Sequence, residues 1–141
     1  MLIVDTGFLV AFYIHRDSLH SQALHFLNQN NQALITTAPV IVESCYFLDA
    51  KAKVALLNWV QCCGINVVDV PVTAYSDIAQ SIEKYADHEI DFTDTTSIWL
   101  ANNYQQQLVG RISDSVIRRM MFIHILSRPT CFRIATRISL R

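Results

Sequence analysis

The sequence predicts an α/β fold, a parallel sheet flanked by helices, in a single domain. Three observations carry this. Short apolar runs alternate with stretches of helical period across short joints, the pattern of strand–helix–strand units. The first run, Leu2-Ile3-Val4, has no polar interruption, as a strand buried on both faces requires. Apolar residues make up 52% of a 141-residue chain, enough for one substantial core, and the length is short for two domains.

Asp5, Thr6 and Gly7 end the first run, and an apolar segment resumes over residues 8–14. In open α/β sheets ligands collect beyond the carboxyl ends of the strands, where Asp5 stands. Asp is also a favoured helix cap, so this residue alone has two readings. Ser18 suits the N-cap of a helix ending near Asn30, with Ala23, Phe26 and Leu27 on one face. His15, His20 and His25 recur every five residues. That spacing does not stack them on one helical face, so no metal site is read there.

Residues 33–37 form the second strand. Pro39 suits the first turn of the helix that follows, and its near-continuous apolar sequence predicts burial. Glu43 is the only charge in that helix before Asp49, and a buried carboxylate needs a partner or a cation. Residues 52–62 make an amphipathic helix with Val54, Leu57 and Val60 spaced for burial and Gly64 at its end. The third strand, residues 65–70, is closed by Pro71. Thr73 then caps a helix carrying Ala74, Ile78, Ile82 and Tyr85. Asp91 and Asp94 open a last helix whose apolar face bears Ile98 and Ala101. Capping and the helix dipole account for one of these carboxylates; two suggest a further use.

Cys45, Cys62, Cys63 and Cys131 have neither zinc-ribbon nor redox spacing, and are expected as buried thiols. No apolar run approaches the ~18 residues of a membrane span. No export signal is visible either, so the expected location is the cytoplasm, with no membrane partner. G-x-S-x-G and G-x-x-x-x-G-K motifs are absent, which argues against serine hydrolase and P-loop chemistry. A phosphatase with Asp5 as nucleophile is disfavoured, since that class commonly carries a second aspartate where this chain has Gly7.

Three segments together resemble a PIN-domain ribonuclease of the virulence-associated-protein C type. They are Val4-Asp5-Thr6-Gly7-Phe8-Leu9-Val10-Ala11, Thr37-Ala38-Pro39-Val40-Ile41-Val42-Glu43-Ser44, and Tyr85-Ala86-Asp87 leading into Asp91-Phe92-Thr93-Asp94-Thr95. The resemblance covers residues 1–104. It implies a Rossmann-like sheet, Mg²⁺ or Mn²⁺ held by Asp5, Glu43 and Asp94, and endonucleolytic cleavage of RNA. It further implies the toxin role in a bacterial toxin–antitoxin pair, with an antitoxin protein and a second copy of the chain as partners. Asp91, Thr6 and Asp114 are secondary site candidates. The chemistry is coherent in its own right: oxygen ligands suit these ions, and a cation both activates water and stabilises charge on an attacked phosphate. The alternative is a degenerate PIN-like domain that binds RNA or protein without cleaving.

Charge divides the chain. Residues 1–107 hold four basic and eleven acidic side chains, net −7, whereas residues 108–141 hold seven arginines and one aspartate, net +6. The family ordinarily continues with a strand ending in aspartate, and around Asp114 nothing else matches. Methionine has a single codon, so Met120-Met121-Phe122-Ile123, read from each third base, must spell Asp-Val followed by Tyr or His. That phrase resembles the missing ending. The expectation is therefore a tail translated out of frame after about Gln107, with the last strand missing or altered and a sheet edge left open. The competing reading is a divergent basic tail that binds RNA or a partner.

Overall fold

The computed structural model describes residues 1–88, 90–104 and 107–109. Four parallel strands, β1 (Leu2–Val4), β2 (Leu34–Thr37), β3 (Ile65–Val68) and β4 (Gln107–Val109), lie in the order β3-β2-β1-β4. The register pairs Leu2 with Leu34 and Gln107, Ile3 with Ile35 and Leu108, and Leu34 with Ile65. The last strand is thus formed over these three residues and covers one edge of β1, where an open edge was expected. The rest of the Arg-rich tail, with Asp114 and Cys131, lies outside the described residues.

Among the described residues six α-helices accompany the sheet: α1 (Thr6–Tyr13), α2 (His20–Gln29), α3 (Ala38–Phe47), α4 (Ala50–Gln61), α5 (Tyr75–Lys84) and α6 (Phe92–Tyr104). Alternate strand residues face opposite ways. Leu2, Val4 and Leu34 join Phe8, Leu9, Phe12, Leu27, Leu56 and Trp59 in one cluster. Ile3 and Ile35 join Leu100 of α6 in another. Burial on both faces is why β1 reads as an unbroken apolar run.

Several local expectations change. The helix predicted to start after Ser18 begins at His20, without a side-chain cap. Asp17 occupies the turn before it and accepts from the Leu19 N–H at 2.8 Å. In α4 the buried residues are Leu56 and Trp59, with Ala52 and Val60 packed beside them, while Val54 and Leu57 are exposed. The apolar content of α4 supports either face, and the Trp59 ring against Phe12 fixes which one turns inward. The cap of α4 is Asp49, whose Oδ1 accepts from the Ala52 N–H at 2.8 Å. The α5 helix is preceded by a 3₁₀ turn, Val72–Ala74, and has no side-chain cap from Thr73.

The α3 helix is not buried all round. Val40 and Ser44 face inward, whereas Val42, Tyr46 and Phe47 are exposed. Only one side of α3 meets α1 and α6, so its outer apolar residues have nothing to pack on among the described elements. Nor are the thiols buried: Cys62 and Cys63 are exposed and Cys45 is half-buried. The two exposed cysteines sit at the C-terminal end of α4, where the chain turns back toward β3.

Candidate functional site

The strand order places β1 beside β2 on one side and β4 on the other, so connections leave β1 in both directions. A crevice at such a switch point, beyond the carboxyl strand ends, is where α/β folds take ligands. Asp5 is the first residue past β1 and is 4% exposed. Its Oδ1 accepts from the Phe8 N–H at 2.8 Å, so it caps α1 as well as standing at the strand end. The two readings of Asp5 coexist, because a cap uses one carboxylate oxygen and leaves the charge in place.

Glu43 comes from the second turn of α3 and is half-buried. The Thr6 hydroxyl donates to Glu43 Oε2, joining the start of α1 to α3. This contact answers the question of what accompanies the only charge in the helix. Ser44, beside it, is wholly buried, and its Oγ has no hydrogen-bond partner among the described residues. A buried hydroxyl left so costs about 1–3 kcal/mol. Ser44→Ala is accordingly expected to leave stability unchanged or raise it, as measured by chemical denaturation.

The other two acids open α6. Asp91 Oδ1 accepts from the Asp94 N–H at 2.8 Å, and the Asp91 backbone hydrogen-bonds back to the Asp94 carboxylate. This reciprocal arrangement is a capping box with aspartate in the usual glutamate position. Capping therefore explains Asp91, the exposed member, and leaves Asp94 half-buried. Two threonines at the end of β2 hold the floor in place. Thr36 Oγ1 donates to the Val4 carbonyl at 2.7 Å, and the Thr37 and Thr96 hydroxyls lie 2.8 Å apart. All three are fully buried. Sequence spacing assigns Thr36 and Thr37 no more than a strand end; the signal for their role is paired threonines ending an otherwise apolar strand.

Asp94 registers the convergence electrostatically. Its carboxyl is pushed up to about 6, first by burial and then by the charges of Asp91, Asp5 and Glu43, against a backbone hydrogen bond that pulls it down. Asp94 thus feels three other carboxylates. Among the described residues, no three acids, histidines or cysteines are gathered closely enough to hold a metal ion as they stand.

A pH signature follows. Unfolded, Asp94 loses its proton near 3.8; folded, it keeps it to about 6. Between those values the native state binds more protons, so its contribution to stability is full below about 4 and is lost as pH rises through about 6. Thermal melts of the wild type and Asp94→Asn in chelator are expected to diverge across that window, the variant becoming relatively more stable toward neutral pH. Parallel curves would count against the convergence.

The PIN-domain family profile matches residues 2–122, continuing into the Arg-rich segment past the boundary near residue 107. No curated protein sequence matches the chain. Among solved structures, the fold is similar to that of Mycobacterium tuberculosis VapC20, described as a sarcin-ricin loop cleaving toxin. The TM-score is 0.77 at 19% identity, over 89% of this chain and 98% of that one. With the sheet order, the strand-end acids and a profile match over most of its length, the chain belongs to the PIN-domain family.

Proposed function

We propose that this chain is a metal-dependent endoribonuclease and the toxin of a bacterial toxin–antitoxin pair, with Asp5, Glu43 and Asp94 as its catalytic and metal-holding acids. The observation that carries the reading is the gathering of charge at Asp94, whose carboxyl is raised to about 6 by burial and then by Asp91, Asp5 and Glu43. Like charges gathered at a ligand-binding strand end are unfavourable unless a cation neutralises them. PIN-domain membership supports a nuclease, and the fold shared with a sarcin-ricin loop cleaving toxin supports RNA as substrate.

The donor chemistry suits such an ion, which would draw the acids closer together than they stand. Carboxylate oxygens are the donors that Mg²⁺ and Mn²⁺ take, and Mg²⁺ commonly keeps several waters beside one or two carboxylates. When bound, the ion supplies an activated water and charge stabilisation at the attacked phosphate. Asp5 is held by its cap to the Phe8 N–H, so its carboxylate has a fixed direction. Thr6 orients Glu43, and Asp91 positions Asp94 through the capping box. Asp94, ionised only above about pH 6, makes the site weaken in acid. The proposed partners are the RNA substrate, an antitoxin protein and a second copy of the chain, and the proposed location is the cytoplasm. No helix among the described residues is long and apolar enough to cross a membrane.

The test is cleavage of a structured RNA by the full chain with Mg²⁺ or Mn²⁺, against a chelator control. Thr6→Val checks the supporting contact: Mn²⁺ affinity is expected to fall severalfold, for the loss of about 1–2 kcal/mol of hydrogen bonding to a charged group. Calorimetric titration reads this directly. One observation favours the alternative of a degenerate domain that binds RNA or protein. The family profile extends past Asp114, yet the residues around Asp114 lack the strand-end motif that the resemblance leads one to expect. Metal-independent RNA binding without cleavage would establish that reading.

A further inference from the structure

His15 and His20 stand on either side of the turn that joins α1 to α2. That turn is fixed by bonds from the Asp17 N–H to the Ile14 carbonyl at 2.9 Å and from the His20 N–H to the Asp17 carbonyl at 3.1 Å. The two rings meet edge to face, their centroids 4.7 Å apart. His15 Nδ1 lies 3.0 Å from His20 Nε2, and His20 Nδ1 lies 2.8 Å from the Ala11 carbonyl oxygen. A carbonyl only accepts, so His20 Nδ1 carries its proton, and on the neutral ring the Nε2 lone pair accepts from the His15 Nδ1–H, the proton that a bound cation replaces. An imidazole that donates its other N–H to a backbone carbonyl has the tautomer and fixed orientation of a metal-ligating histidine.

We infer that His15 Nδ1 and His20 Nε2 form a two-nitrogen chelate for a borderline transition-metal ion, Cu²⁺ or Ni²⁺ ahead of Zn²⁺. This site is separate from the carboxylates at the strand ends and does not depend on the nuclease reading. The separation decides the ion. Nitrogens 3.0 Å apart with bonds of about 2.1 Å subtend about 90° at a shared cation. That is the cis angle of square-planar or tetragonal geometry, and a tetrahedral ion needs a wider bite. His15 is exposed, so its ring can turn its lone pair to the ion while Ala11 holds His20 still. The His15 proton then sits on Nε2, facing water, and water fills the remaining positions. Mg²⁺, which seeks oxygen, has little use for this pair.

The spacing of five that argues against one helical face is what a turn needs. His15 precedes the turn and His20 begins α2, so the backbone between them reverses and brings the rings together.

The test is calorimetric titration of the untagged full chain with Ni²⁺, in a Cys62→Ser, Cys63→Ser background that removes the exposed thiols. One equivalent is expected to bind and to raise the melting temperature. His15→Ala removes an exposed ligand. His20→Asn keeps an N–H for the Ala11 carbonyl and loses Nε2. Each is expected to weaken binding roughly tenfold or more, a ligand being worth at least what an outer-shell partner is. His25→Ala is expected to change nothing. Unchanged Ni²⁺ affinity in His15→Ala overturns the inference even if His20→Asn does not fold. So does loss of Ni²⁺ binding in Asp5→Asn with both histidines intact, which places the ion at the carboxylates.

Discussion

Asp5→Asn is expected to lose metal-dependent RNA cleavage, by on the order of 10²–10³-fold, the scale of removing one electrostatic element from an active site. The choice of asparagine separates chemistry from folding. Asp5 Oδ1 accepts the Phe8 N–H at the start of α1. Asparagine is as good an N-cap, so α1 keeps its first turn; alanine would lose about 1 kcal/mol there. What asparagine removes is a charge, 4% exposed, that raises the Asp94 carboxyl. The variant is therefore expected to be as stable as the wild type in chelator, or more so, while inactive with Mn²⁺. Gain of stability with loss of function is the mark of a site where like charges are gathered for a ligand. Gel-based cleavage assays and thermal melts on the same preparation read both. Wild-type cleavage rates in Asp5→Asn would sink the proposed mechanism.

Gly64→Ala is expected to be strongly destabilising, costing about 2–3 kcal/mol and lowering the melting temperature by roughly 5–10 °C. A Cβ at Gly64 would lie 2.0 Å from Cδ1 and Nε1 of Trp59. The indole cannot retreat, being 4% exposed and stacked beside Phe12 at 5.3 Å between centroids. The neighbouring position behaves in the opposite sense. Cys63, not Gly64, is the left-handed residue, with φ 56°. The Cys63 N–H donates to the Val60 carbonyl and the Gly64 N–H to that of Trp59, the double bond of a Schellman cap. Cys63→Gly is expected to stabilise by about 1 kcal/mol, the usual cost of a side chain in that conformation. Chemical denaturation of the two variants should move in opposite directions. Equal effects would mean that the cap is shifted by a residue.

Glycine at a helix end was legible in the sequence, and its assignment to the wrong capping role shows the limit of reading one residue at a time. Similar limits apply to α4, where Val54 and Leu57 are exposed and Leu56 and Trp59 are buried. An apolar helix can offer more than one face, and only the position of Phe12 chooses. For the same reason Val42, Tyr46 and Phe47 of α3 face outward although their sequence predicts burial. Hydrophobicity states how much surface a residue would hide, and the number of neighbouring elements sets how much it can.

What the sequence determined by itself was the alternation of strands and helices, the doubly buried first strand, and the acids at Asp5, Glu43, Asp91 and Asp94 as a group worth attention. These are local properties: periodicity, strand-end position, and the cost of charge in an apolar helix. The tertiary structure decided how the acids divide their work. It gave Asp91 to the cap of α6, tied Glu43 to Thr6, and left Asp94 under the combined field of the others. It also joined His15 to His20, which one-dimensional spacing separates. Fields, hydrogen-bond partners and ring contacts depend on distance in space, and a chain that turns back on itself makes distances that no count of residues contains.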